Sequence, residues 1–176
     1  VRVRCPYYTR WTSMLARAND IKLHKRVPSY KGTTICKEWI FFSIFKSLMK
    51  QQDWSVKELD KDLLILHNKE YSPDSCCFIS KPLNLLLNNR DRGRGEFPQG
   101  VSRIRHENKF MATLSIKGKN KNLGRYNTVK EAYKEYTKAK IDYIKEHIVG
   151  LEDQRIIKGL QLHIELFNNK VVQYEG

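Results

Sequence analysis

Between Gly100 and Lys140 the apolar residues change period, and this constrains the possible fold more than any other feature of the chain. Up to about Leu123 they alternate, as half-buried strands require, and after Thr128 they take helical spacing. Phe110, Ala112 and Leu114 fall on one side of a strand. Met111, Thr113 and Ser115 fall on the other, with Lys109 and Lys117 at its ends. The run KGKNK, residues 117 to 121, puts Gly118 and Asn120 where a tight hairpin needs positive φ, and its lysines resist unpaired burial. Thr128 then opens a helix with capping-box spacing to Glu131, and Val129, Ala132, Tyr133, Tyr136, Ala139, Ile141, Tyr143 and Ile144 supply its packing stripe. These features predict a small antiparallel sheet backed by one helix, with a polar and basic outer face suited to a DNA groove.

Charge points the same way. In 176 residues, 33 Lys plus Arg oppose 19 Asp plus Glu, a net charge of +14. That excess favours contact with phosphates, where counterion release supplies most non-specific affinity. The length allows one ordinary domain or two small ones. The run WIFFSIF is far short of the roughly 20 apolar residues a membrane span needs. The opening VRVRCPYYTRW has no apolar core of a secretory signal. No membrane association is expected. Cys5, Cys36, Cys76 and Cys77 read as reduced thiols. The adjacent Cys76 and Cys77 lack the C-x-x-C spacing of a zinc site, although His24 or His67 could join Cys36 and Cys76.

The predicted architecture is α+β. Tyr7 to Asn19 and Glu38 to Lys50 carry helical apolar spacing, and the basic stretch IKLHKRVPSYKG between them, broken by Pro28 and Gly32, reads as a loop. From Leu59 to Asn84 the apolar runs LLIL and CCFI flank a turn-rich NKEYSPDS, and a helix starts near Pro82. That order is a ββα unit. NNRDRGRG, at 88 to 95, has two glycines and no apolar residue and reads as a linker. The expected organisation is therefore a helical and ββα domain over 1–87, a basic linker over 88–99 containing Arg90, Arg92 and Arg94, and the sheet-and-helix domain over 100–149. A C-terminal helix within 150–176, with Ile156, Ile157, Leu160, Ile164 and Phe167 on one stripe, either packs on its own domain or pairs two copies into a homodimer.

Two stretches resemble known families. GVSRIRHENKFMATLSIKGKNKNLGRYNTVKEAYKEY resembles the Apetala-2-type (ethylene-response-factor-like) DNA-binding domain, through Gly100, Val101, Phe110, Ala112, LGRYNT and EAYKEY. The resemblance implies a three-stranded sheet lying in the major groove of double-stranded DNA. By position it implies contacts from Ser102, Arg103, Arg105 and His106, then Thr113, Ser115 and Lys117, then Lys119, Lys121 and Asn122. Ser102, His106 and Thr113 stand where the plant pattern carries arginines and tryptophans, so base preference does not transfer.

LDKD, YSPDSCCFIS and Asn84 resemble the ββα-metal core of phage HNH homing endonucleases. The resemblance implies Asp60 as the aspartate of an Asp-His pair and Asn84 as the helix ligand of Mg²⁺ or another divalent metal. Lys61 stands in the histidine's place, and the loop asparagine's position falls at Ser75. An ordinary lysine is protonated at neutral pH, a poor stand-in for a base that activates water. His67 lies six residues beyond the expected place, and Asp60 with Asp62 could share a metal or simply be solvated.

Three functions follow as expectations. The first is a sequence-specific double-stranded DNA-binding protein of phage or mobile-element origin, a domesticated homing endonuclease acting as a repressor in the bacterial cytoplasm and needing no cofactor. The second is an active metal-dependent HNH-like endonuclease or nickase using Asp60, Asp62, His67 and Asn84. The third is a structural RNA- or nucleoid-associated basic protein.

Overall fold

A computed structural model describes residues 5–88 and 96–173 of the chain. It is mixed α+β and divides into two compact units between Lys81 and Pro82. The charged run holding Arg90, Arg92 and Arg94 lies outside the described residues.

The first unit opens with helix α1 (Pro6–Asn19), started by a proline at its first position, where no intrahelical N–H partner is lost. Where the sequence suggested a basic loop, a short helix α2 (Ile21–Arg26) and a single 3-10 turn over Pro28–Tyr30 occur instead. The cause is Asp20, whose carboxylate accepts from the backbone N–H of Lys22 and Leu23 and so caps α2. The expected helix from Glu38 to Lys50 is interrupted: a 3-10 turn over Glu38–Ile40 precedes α3 (Phe42–Lys50), because Phe41 is extended at φ −90° and ψ 117°. Met14, Trp39, Phe45, Met49, Leu59, Tyr71, Cys76 and Phe78 form the core. Arg17 ties α1 to it, donating to the Leu59 carbonyl and the Tyr71 hydroxyl at 3.3 Å each.

Four short strands complete this unit. The pair β1 (Thr34–Ile35) and β3 (Glu70–Tyr71) is parallel. The pair β2 (Lys57–Asp60) and β4 (Cys77–Ser80) is antiparallel, with Asp60 opposite Cys77. The apolar run LLIL is not a strand. Asp60 Oδ1 accepts from the N–H of Asp62 at 2.9 Å and of Leu63 at 2.7 Å, which turns the chain just as that run begins. Leu63 is buried while Ile65 is 49% exposed, so the run is a loop with one anchor.

Helix α4 (Lys81–Leu87) follows β4 directly and groups with the second unit, whereas the sequence placed it with the first. In that unit β5 (Val101–Ile104), β6 (Lys109–Ile116) and β7 (Lys119–Tyr126) form an antiparallel sheet in that order, the three-stranded sheet that the alternation predicts. Helix α5 (Val129–Ile148) carries the expected capping box: Glu131 N–H donates to the Thr128 hydroxyl, and the Glu131 carboxylate accepts from Thr128 N–H, both at 3.1 Å. Helix α6 (Gln154–Gln173) is the expected C-terminal helix and continues beyond Phe167, the last residue of its apolar stripe. It packs on α5, burying Ile156, Leu160 and Phe167.

With the sheet on one side and α6 on the other, α5 is buried on more of its circumference than its apolar stripe indicated. Thr137 and Lys140 are buried too, and Lys140 Nζ lies 4.0 Å from the centre of the Phe167 ring, a cation–π contact that shields a charge inside the layer. Gly100, at φ +81°, lies against the Tyr136 ring, where any Cβ would clash. Among the described residues no helix is long and apolar enough to cross a membrane.

Candidate nucleic-acid interface

Directly opposed residues of antiparallel strands lie on the same face, so pairing register assigns each side chain of the sheet to a side. Ala112 and Leu114, both buried, define the side packed against α5. The outer side carries four rows: Ile104 with Lys109, Ser102 with Met111 and Arg125, Thr113 with Asn122, and Ser115 with Asn120. Ser102, Lys109, Ser115, Asn120, Asn122 and Arg125 are exposed, and Met111 and Thr113 half-buried. The face carries no carboxylate in these rows. Three strands at the usual spacing span about 10 Å, a width the major groove of B-DNA admits.

Of the residues implied by resemblance, Ser102, Thr113, Ser115 and Asn122 share this face. Arg103 does not, being opposite Phe110 on the other side and donating to the Asn108 side chain at 3.0 Å. Lys119 and Lys121 stand opposite Ile116 and Leu114 and belong to that same side, although both are exposed. Arg105 and His106 lie in the turn Arg105–Asn108, both exposed. Lys117 forms the β6–β7 turn with Gly118. The pairing of Ile116 with Lys119 leaves two central residues, and both have positive φ, +51° and +76°. That is the geometry of a type I′ hairpin, so Lys117 takes the left-handed position expected of Asn120, and Asn120 sits in β7 opposite Ser115.

Arg125 was missed for a definite reason. A β-bulge between Ala112 and Thr113 skips Leu123: Thr113 pairs with Asn122 and Ala112 with Gly124. Past the bulge the parity reverses, so Arg125 lies on the outer side with Asn120 and Asn122 rather than with Lys119 and Lys121. Simple alternation along the sequence gives the opposite answer. The Arg125 guanidinium bonds Glu107 in the β5–β6 turn through Nη1, and His106 Nε2 lies 3.3 Å from the same carboxylate oxygen. Arg125 holds the Glu107 carboxyl below the usual carboxylate range. At the opposite end, Thr113, Ser115, Lys117 and Gly118 border a groove shared with Pro82, Leu85 and Leu86 of α4.

The first unit gives the residues expected of a nuclease other work. Lys61 is buried, and its Nζ donates to Asp62 Oδ1 at 2.6 Å and to the Asn68 carbonyl at 2.7 Å. Asn68 returns the bond, its Nδ2 donating to the Lys61 carbonyl at 2.9 Å and to the Glu70 carbonyl at 2.6 Å, while its Oδ1 accepts from Glu70 N–H. Lys61 and Asn68 thus clasp the loop between them. Ser75, which the resemblance put in the place of a loop asparagine, takes no part in that clasp. Ser75 bonds the Glu70 carbonyl and the Ser72 hydroxyl instead.

Burial raises the Asp60 carboxyl above its ordinary value, against the two backbone N–H groups that favour its charge. His67 is exposed, in a turn at φ +59°. Asn84, on α4 in the other unit, has its side-chain oxygen engaged by Asn88 Nδ2 at 2.9 Å. Burial pushes the Cys76 thiol up to about 12, leaving it protonated and unreactive, and none of the four cysteines is in a disulfide. Among the described residues no three His, Cys, Asp or Glu side chains gather as a metal-binding group. The donors do not suit a divalent cation in any case. Asp62 is already neutralised by an ammonium, and Asp60 Oδ1 is taken by two N–H groups.

Comparison with protein-family models, with curated proteins and with solved structures returned no match to this chain.

Proposed function

We propose that this chain is a sequence-specific double-stranded DNA-binding protein, of the kind phages and mobile elements carry, that acts as a repressor by occluding its site. The observation that carries the proposal is the outer face of the β5–β6–β7 sheet: four rows of mainly polar and basic side chains, with Ile104 and Met111 among them and no carboxylate, about one groove wide, on a chain of net charge +14. Shape and charge together favour a duplex over a protein partner. In this reading the Apetala-2-like unit reads sequence, and the β2–β4 pair of the first unit, followed in sequence by α4, is the remnant of an HNH-like core that adds phosphate contacts but no chemistry. What supports its loss of chemistry is Lys61: an ammonium donating to Asp62 and Asn68 has no lone pair with which to activate water.

Selection from a randomised duplex library, followed by incubation of the selected site with Mg²⁺ or Mn²⁺, tests both halves. The expected result is an enriched motif bound at least about a thousandfold more tightly than random duplex, with no nicking. Preference below about tenfold removes the sequence-specific reading in favour of a general nucleic-acid coat. Metal-dependent nicking abolished by Asp60→Ala would restore the nuclease.

A further inference from the structure

The row that crosses all three strands, Ser102, Met111 and Arg125, is the one in which a long, forked donor stands beside an apolar side chain on the outer face. We infer that Arg125 reads a guanine, that Glu107 positions it, and that Met111 beside it favours a neighbouring thymine; the inference rests on the sheet face being the DNA-reading surface proposed above.

The chemistry follows from which donors are engaged. A guanidinium is planar, with its five N–H groups in a fixed fork. Glu107 accepts from Nη1. Nε with Nη2 forms a separate edge of the fork, with two parallel N–H donors. Guanine presents two acceptors, O6 and N7, side by side in the major groove, and no other base edge there does. Arg125 is exposed over half of its side chain, so the edge is accessible, while Glu107 is only 27% exposed and sits in a turn closed by its own strands. A carboxylate anchored in this way restricts the arginine's rotamers before DNA arrives, which lowers the entropy lost on binding. Without an anchor, a long arginine on an outer strand is more inclined to swing to the nearest phosphate, where it carries no sequence information. Met111, directly opposite Arg125 and half-buried, presents an apolar surface to the adjacent base step, where the thymine methyl is the apolar group available. The far end of the sheet borders the groove with α4, whereas this row lies at the end closed by the Arg105–Asn108 turn.

The test uses the full chain and two conservative variants in the same library selection, each also titrated against salt. Arg125→Lys keeps the charge and loses the fork: guanine preference at one motif position should fall about tenfold or more, with the salt slope unchanged. Glu107→Gln keeps the shape and frees the arginine: guanine preference at the same position should fall while affinity for random duplex holds or rises, because an anion has been removed. A merely structural Glu107 would lower all affinities together. Met111→Ser should reduce thymine preference at the neighbouring position. If the wild-type chain selects a motif and Arg125→Lys retains its guanine preference, this assignment is overturned while the DNA-binding reading stands. If the wild-type chain selects no motif, both fall.

Discussion

Asp60 and Lys61 are neighbours in the sequence, both withdrawn from solvent, and held in different ways. Lys61 is buried by its own clasp, whereas Asp60 is held at the end of β2 with a carboxyl whose proton affinity burial has raised. A carboxyl with a folded pKa above its unfolded one binds more protons in the folded state, so stability falls as pH rises from about 4 through the folded value. Asp60→Asn keeps an Oδ1 to accept from Asp62 and Leu63 and removes the buried charge. Its melting temperature at neutral pH should equal or exceed that of the wild type, and its melting profile should be flatter between pH 4 and 7; a lower neutral-pH melting temperature would contradict the assignment. Lys61→Met, by contrast, leaves the Asn68 carbonyl without its donor and should cost about 2 kcal/mol in denaturant unfolding. The resemblance to an HNH core put Lys61 where a catalytic histidine would stand. The sequence could not show that Lys61 closes a loop with Asn68, because their bond spans a segment whose apolar run suggested a strand.

Among the elements, α5 and the sheet were legible and the turns less so. The capping box and the change of period each depend on residues within four positions of one another, which a sequence displays directly. The α2 cap was equally local and was obscured by Pro28 and Gly32 nearby. The Leu123 bulge is different in kind. It exists only in the pairing of two strands, and it decides whether Arg125 or its neighbours face outward. Two substitutions probe these elements. Lys117→Asn suits the left-handed position of the hairpin better and should raise stability by about 0.5–1 kcal/mol. Gly100→Ala drives a Cβ into the Tyr136 ring at a positive φ and should destabilise by about 3 kcal/mol, seen as a fall in denaturation midpoint at unchanged m-value.

For the whole molecule, charge was readable from composition, but the division of the chain was not. The glycine- and arginine-rich run at 88–95 looked like the boundary, yet the units divide at Lys81 and Pro82, and Leu86 with Leu85 lines a groove together with Leu114 and Tyr136. A fragment over 82–176 should therefore unfold at higher denaturant than one over 96–176, because Leu83, Leu86 and Leu87 are buried. Lys119 and Lys121 lie on the other side of the sheet from the face proposed to read DNA, so on that proposal changing both to Ala should weaken binding to every duplex and reduce the salt slope by about one to two, leaving the selected motif intact. The clasp of Lys61 and Asn68 has its own consequence at this scale. An ammonium that belongs to the chain itself closes the loop, so this closure draws on no divalent ion. That loop should therefore hold its form through swings in divalent-ion supply.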